Sequence, residues 1–302
     1  MIKAVGIGDY VIDRYYHYGL MFPGGNALNF AVYSKQLGCD SAFVGVLADD
    51  KFADVVTRAI DERGIDRSRC VRAHGDTWLC STRLENGERT ISDDNDGGVV
   101  KNQPLKVDED LLAYVRGFDI VHANINGSID DEIGKLKTVG VPIIYDYSDL
   151  WESEADLLKM CPHIDFAFFS GKKLPQNELK RLLTRLVENG CELAICTIGK
   201  QGSIAYDGNK YYTKKPYNLE GAVVDTLGAG DSFLTGFIIS YIEGCKRLQS
   251  ITAGEPGKIC TAEDVRSYRE GLIEYSMQVG NLLAIKNCMV LGAFGQGVAL
   301  EE

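Results

Sequence analysis

Short apolar runs alternate with helical patterns along most of this 302-residue chain. Lys3 to Ile7, Ala42 to Val46, Ile120 to His122, Ile143 to Tyr145, Phe166 to Phe169 and Leu193 to Cys196 read as strands. Helices are expected from Asn26 and around Phe52 to Asp61. Such alternation predicts strand-helix-strand units, and so an α/β fold with a mostly parallel sheet covered on both faces. Two regions break the rhythm. Residues about 10 to 24 are rich in Tyr, and residues about 74 to 103 alternate in hairpin style around Glu85-Asn-Gly-Glu88, where Asn-Gly suits a tight turn. Thr252 to Thr261, with Gly254, Pro256 and Gly257, reads as a surface loop.

The chemistry points to Asp225-Thr-Leu-Gly-Ala-Gly-Asp-Ser-Phe-Leu-Thr-Gly236. Ala222, Val223 and Val224 before it read as a short strand. Phe233, Leu234, Phe237, Ile238, Tyr241 and Ile242 recur at helical spacing and predict the packed face of a helix. Gly228, Ala229 and Gly230 then fall at the helix N-terminus, where unpaired amides and the helix dipole favour an anion such as a phosphate. Asp231 would repel that anion. It suits either a general base beside the transferring group or a helix-start residue favoured by the dipole.

This segment resembles the C-terminal DTxGAGD signature of the ribokinase-like (PfkB) carbohydrate kinases. Gly24-Gly-Asn-Ala-Leu-Asn-Phe-Ala-Val-Tyr-Ser-Lys-Gln-Leu-Gly38 resembles the N-terminal signature of the same family. The two lie about two hundred residues apart in the expected order, and the likeness extends over essentially the whole chain. It implies a ribokinase-like three-layer sandwich, one kinase domain over 1–302, with a small β lid built from about 10–24 and 74–103. In the family this lid covers the sugar site and often serves as a dimer interface. The likeness also implies MgATP as phosphoryl donor, with Asp231 as base and Gly228, Ala229 and Gly230 as anion hole, and it leaves a monovalent cation such as K+ open. Gly24, Gly25, Asn26 and Asn29 would wall the sugar site, Asp9 and Asp13 would accept bonds from sugar hydroxyls, and Arg89 would project from the lid. Helix capping is the other reading of Asn26, and solvated surface that of Asp13 and Arg89.

For the nucleotide, Thr197-Ile-Gly-Lys-Gln-Gly-Ser203 follows a strand and resembles the family's T-x-G-x-x-G segment, placing Thr197, Gly199 and Gly202 near ATP. A hairpin turn would use Gly202 equally well. Asn281 precedes Gly292-Ala293 by the spacing of the family asparagine beside adenine; its other reading is a satisfied helix asparagine. Where the family commonly has Asn-x-x-Glu, this chain has Ser170-Gly-Lys-Lys173, and a lysine cannot accept a bond from a magnesium-bound water. Phe118 to Asn124, Tyr145 to Ser148 with Trp151, and Pro162 to Phe168 resemble the fructosamine branch, which phosphorylates the 6-hydroxyl of fructoselysine and related compounds. An acidic, aromatic pocket using Asp146, Tyr147 or Trp151 would suit such a substrate; those residues would equally close the core beneath a plain sugar site. Fructokinase, ribokinase, nucleoside kinase and a silent sugar or nucleotide sensor are the alternatives, and only the sensor has no need of Asp231.

Composition excludes other classes. A net charge of −11 opposes nucleic-acid binding, and a nucleotide would need local cations and amides. No run of 18 apolar residues appears, and the charged start is unlike a signal peptide, so a cytoplasmic protein without membrane contact is expected. The nine cysteines have no Cys-x-x-Cys pair and the four histidines no ligand spacing, which predicts reduced thiols and no structural metal site. Gly6-Ile-Gly8 has Val11 where a dinucleotide fingerprint needs glycine. Asn126-Gly-Ser128 fits a glycosylation sequon, without expected meaning in a chain with no signal peptide.

Overall fold

The computed structural model describes residues 1–85, 88–171, 174–217, 223–254 and 261–300. Its strands are β1 (Lys3–Ile7), β2 (Val11–Tyr15), β3 (Leu20–Gly24), β4 (Asp40–Val44), β5 (Val46–Leu47), β6 (Val71–Arg72), β7 (Leu79–Glu85), β8 (Glu88–Asp93), β9 (Ile120–Asn124), β10 (Ile143–Asp146), β11 (Phe166–Ser170), β12 (Leu193–Thr197), β13 (Ser203–Tyr206), β14 (Tyr211–Lys214) and β15 (Val298–Ala299). The helices are α1 (Asn26–Gln36), α2 (Lys51–Glu62), α3 (Gly98–Asn102), α4 (Glu109–Val115), α5 (Asp130–Lys137), α6 (Glu154–Met160), α7 (Gln176–Glu188), α8 (Ala229–Gly254) and α9 (Ala262–Cys288).

The central sheet has the order β14-β13-β12-β11-β10-β9-β1-β4. It is parallel from β12 to β4, with β13 and β14 added antiparallel at one edge. Side chains alternate across it. On β10 and β11, Ile143, Tyr145, Ala167 and Phe169 enter a core shared with residues of α2, α4, α5, α6 and α7. Their neighbours Ile144, Phe166 and Phe168 enter a second core with Phe233, Phe237, Tyr241 and Met277 from α8 and α9. Strands apolar on both faces therefore sit between two helical layers, the predicted sandwich, and each fully buried large side chain contributes about 1.5–3 kcal/mol.

A separate five-stranded sheet has the order β15-β3-β2-β7-β8. The two stretches that break the alternation supply most of it, and β15 joins from the C-terminal end. The second stretch is not hairpin throughout: β7 and β8 pair antiparallel, but α3 follows, and β7 also pairs in parallel with β2.

Two close approaches fix α1 over the sheet. A Cβ on Gly6 would lie 2.2 Å from the Ala27 carbonyl oxygen, so only glycine lets α1 cross β1 at this distance. Gly25 precedes the helix at φ 110°, and a Cβ there would lie 2.6 Å from Tyr10 Cα. The Asp9 carboxylate accepts from the backbone N–H groups of Asn26 and Ala27, both at 2.9 Å, which satisfies two amides that a helix start leaves without partners.

Three expectations are corrected. Val223 and Val224 form no strand: they are exposed coil, and Val224 N–H donates to the Cys288 carbonyl at the end of α9, which draws the segment off the sheet. Ala222 lies outside the described residues. The stretch from Thr252 is not loop at its start, because α8 continues to Gly254 and the Thr252 hydroxyl bonds back to the Leu248 carbonyl (3.0 Å). Residues 255–260 lie outside the described residues, and Thr261 caps α9. The run Ala42 to Val46 is split, since β4 ends at Val44 and β5 leaves to pair with β6.

Candidate active site

Asp231 is the third residue of α8. Its two carboxylate oxygens face the first turns of α1: Asn26 Nδ2 donates to Oδ1 (3.1 Å) and Asn29 Nδ2 to Oδ2 (2.6 Å). Two residues 202 and 205 positions away in sequence thus converge on this carboxylate. Asn26 is not the helix cap, a place that Gly25 takes. Its amide is fully used, since Nδ2 also donates to Asp146 Oδ2 (3.2 Å) and Oδ1 accepts from Asn126 Nδ2 (3.0 Å).

Asp146 ends β10, buried at 2% exposure, and Ser148 N–H donates to its other oxygen (2.7 Å). Burial, reinforced by the negative charge of Asp231, pushes the Asp146 carboxyl above the usual carboxylate range. Asp9 is equally buried, and burial raises its carboxyl despite the bonds from Ala27, Asn124 and Asn26 that oppose the shift. Both Asp9 oxygens are engaged within the protein, because Asn124 Nδ2 joins the two helix amides at 2.8 Å. Its geometry is that of a residue holding the start of α1 and the end of β9.

The turn before α8 is organised by Asp225, which is fully buried. Its Oδ1 accepts from Leu227 N–H (2.9 Å), and Oδ2 accepts from Gly292 N–H (3.0 Å) and from the Tyr15 hydroxyl of β2 (2.6 Å). Gly228 has φ 73° and packs so tightly under the Tyr33 hydroxyl that a Cβ would lie 2.4 Å from it. That hydroxyl lies between Asn287 Oδ1 and the Ala293 carbonyl. The Ala229 amide donates to the Thr226 carbonyl (3.2 Å), closing the turn into the helix, so it is not the unpaired amide expected at this position.

Asp13 is buried on β2, where Thr82 Oγ1 donates to it (3.3 Å), so it is no solvated surface residue. Gly24 ends β3, and a Cβ on it would meet Asp13 Oδ2 at 3.0 Å. Arg89 pairs with Leu84 across β7 and β8, and its side chain lies outside the described residues. Lys172 and Lys173 lie outside them also.

Thr197 ends β12, and Gly199 and Gly202 lie in the turn that leads to β13. Gly202 is at φ 106°, and a Cβ would lie 2.0 Å from the Lys214 carbonyl oxygen, so the hairpin itself requires glycine. Asn281 Nδ2 donates to the Lys215 carbonyl (3.1 Å). The turn and Asn281 therefore abut the same short stretch after β14. Of the aromatic candidates, Tyr147 belongs to the core, where its hydroxyl donates to the Leu157 carbonyl (2.7 Å), and Trp151 Nε1 donates to the Ser170 carbonyl (3.1 Å).

Asn124, Asn126, Tyr15 and Tyr33 were not legible as site residues. A signal for the first two was their place at and just after the C-terminal end of β9, the end at which parallel sheets bind ligands. Among the described residues no three His, Cys, Asp or Glu side chains gather to hold a metal ion. No helix among them is long and apolar enough to cross a membrane.

Known proteins resemble this chain in sequence and in fold. The fructosamine kinase FrlD of Bacillus subtilis (strain 168) is 30% identical over 98% of this chain and 94% of its own length. The fructoselysine 6-kinase of Escherichia coli (strain K12) is 32% identical over 86% of this chain and 96% of its own. Among solved structures, the ribokinase of Giardia lamblia superposes with a TM-score of 0.77 at 17% identity, covering 97% of this chain and 94% of that one. Arabidopsis thaliana ribokinase, in a structure with ribose and ATP, gives 0.68 at 21% identity over 95% and 94%. The sequence profile described as pfkB family carbohydrate kinase matches residues 14–256, and with it the chain belongs to the pfkB family of carbohydrate kinases.

Proposed function

We propose that this kinase transfers the γ-phosphate of MgATP to the 6-hydroxyl of fructoselysine or a related fructosamine. The observation that carries the reading is Asp231, set at the start of α8 with each oxygen held by an asparagine of α1. The naming of the two relatives as fructosamine and fructoselysine kinases supports the acceptor. Asp231 takes the proton of the acceptor hydroxyl as the oxygen attacks, and the N-terminal end of α8 at Gly228, Ala229 and Gly230 offsets charge on the transferring group. When bound with ATP, Mg2+ would offset charge on the phosphates. Thr197 and the turn of Gly199 and Gly202, with Asn281, border the nucleotide, while Asp13, Gly24, Gly25, Asn26 and Asn29 border the sugar and Asp9 holds their helix in place.

The sheet of β2, β3, β7, β8 and β15 serves as the lid, carrying Arg89 on β8 and keeping water from the transferred group. Tyr16, Tyr18 and Ile91 are exposed on or beside this sheet, which supports its use as a homodimer interface. Sedimentation tests that: a monomer at assay concentration refutes the dimer. Turnover with and without K+ tests the monovalent ion.

The acceptor is tested by ADP release from MgATP against fructoselysine, other fructosamines, fructose, ribose and nucleosides. Preference for a fructosamine is expected. Preference for a free sugar or a nucleoside overturns the acceptor and leaves the kinase chemistry standing.

A further inference from the structure

Asp146 carries less compensation than its burial demands. It receives two hydrogen bonds, both from uncharged groups, the Asn26 side chain and the Ser148 backbone. No Lys or Arg among the described residues pairs with it. The nitrogen of Asn26 that reaches it also reaches Asp231, so two carboxylates bracket one donor. Burial and like charge together disfavour the ionised form.

A second observation comes from the neighbouring strand. Asn124 on β9 is the register partner of Asp146 on β10 and is fully buried. Its Nδ2 is spent on Asp9, while its Oδ1 has no hydrogen-bond partner among the described residues. Asn29 Oδ1, on the residue that holds the far oxygen of Asp231, is likewise a buried acceptor without a partner among them. Buried acceptors are rarely left unpaired, so this end of the site is short of hydrogen-bond donors and of positive charge.

We propose that Asp146, together with the Asn124 side-chain carbonyl, binds the secondary ammonium that a fructosamine carries on C1, and so selects it over a neutral sugar. The inference rests on the fructosamine reading given above. A secondary ammonium supplies two N–H donors, one for each acceptor, and its charge compensates the carboxylate. The substrate's own geometry suits the arrangement. In a fructofuranose ring the C1 and C6 arms flank the ring oxygen, so a 6-hydroxyl at Asp231 leaves the C1 amine within reach of the adjacent carboxylate. Asp146 is a specificity residue in this account, and Asp231 alone handles the proton.

The test compares kcat/KM for fructoselysine, N-acetylated fructoselysine and free fructose in the wild-type enzyme and in Asp146→Asn. Acetylation on the C1 nitrogen removes the charge. The wild type is expected to prefer the charged substrate over both neutral ones, and Asp146→Asn to lose about 30-fold or more of that preference, mainly through KM. The ratio cancels any damage common to all substrates. An Asp146→Asn enzyme with the wild-type preference overturns the proposal, as does an equal fall on every substrate, which marks a structural role, or a rise confined to the Mg2+ requirement. Should the variant not fold, the wild type decides: equal kcat/KM for fructoselysine and its N-acetylated form overturns the proposal. A wild type that ignores fructosamines sinks the acceptor reading and this inference together, an outcome distinct from a fructosamine-selective enzyme indifferent to Asp146.

Discussion

Replacing Asp231 by Asn separates chemistry from architecture. In the structure both carboxylate oxygens accept from asparagine side chains, at 3.1 Å from Asn26 and 2.6 Å from Asn29. The amide keeps the shape of the carboxylate but brings an NH2 against one of these donors. Asn29 can relieve the clash by turning its own amide over, because its Oδ1 has no partner among the described residues and would then accept from the new NH2. The remaining stability cost is the exchange of charged for neutral hydrogen bonds, about 1–3 kcal/mol. The chemical cost is larger. Loss of a positioned general base lowers turnover by about 10²- to 10⁴-fold, a barrier rise of roughly 3–5 kcal/mol. Steady-state ADP release should therefore show kcat reduced by at least a hundredfold, with KM for the sugar changed only a few-fold and a folded circular dichroism spectrum. A variant whose kcat stays within tenfold of wild type would refute the assignment of Asp231 as base.

Other consequences follow from the same contacts. Tyr15→Phe removes the hydroxyl that ties β2 to the buried Asp225 carboxylate, a bond to a charged group worth about 1.5–3 kcal/mol, so kcat should fall more than sugar KM rises; unchanged kinetics would show that the turn before α8 holds itself. Gly6→Ala places a methyl 2.2 Å from the Ala27 carbonyl oxygen and should push α1 off β1, lowering stability by about 2–3 kcal/mol in urea titration and activity through Asn26 and Asn29; a wild-type midpoint would contradict the close approach. His122 is buried against Phe30, and burial depresses its imidazole to about 3. Below the unfolded value near 6.5 the unfolded chain takes up a proton that the folded chain does not. Stability should therefore fall with pH between 6.5 and about 3, by up to about 1.4 kcal/mol per unit, and His122→Leu should flatten that slope in pH-dependent thermal melts. An identical slope in the variant would rule His122 out as its source.

The parallel sheet was legible because its strands are apolar on both faces, and the helix of α8 because Phe233, Leu234, Phe237 and Ile238 recur on one side of it. Strand ends were less so: Val223 and Val224 have the composition of a strand, and only the bond to Cys288 at the end of α9 shows why they are not one. Asp231, Asn26 and Asn29 could be proposed from local motifs, but their meeting depends on α1 lying over β1, which rests on the absence of a side chain at Gly6. Register was not readable at all. It sets Asn124 beside Asp146, and the sheet arrangement brings Tyr15 to Asp225 across 210 positions. Residues that act through such long-range contacts carry no local signature. Asn126 shows this plainly, since its sequence context fits a sequon while its side chain supports Asn26.

The most direct test of the account is identification of the product formed from fructoselysine and MgATP by the purified enzyme, using phosphorus and proton NMR. The account predicts ADP and intact fructoselysine bearing a phosphate on the 6-hydroxyl. Unmodified fructoselysine, alongside turnover of a free sugar or a nucleoside under the same conditions, would contradict it.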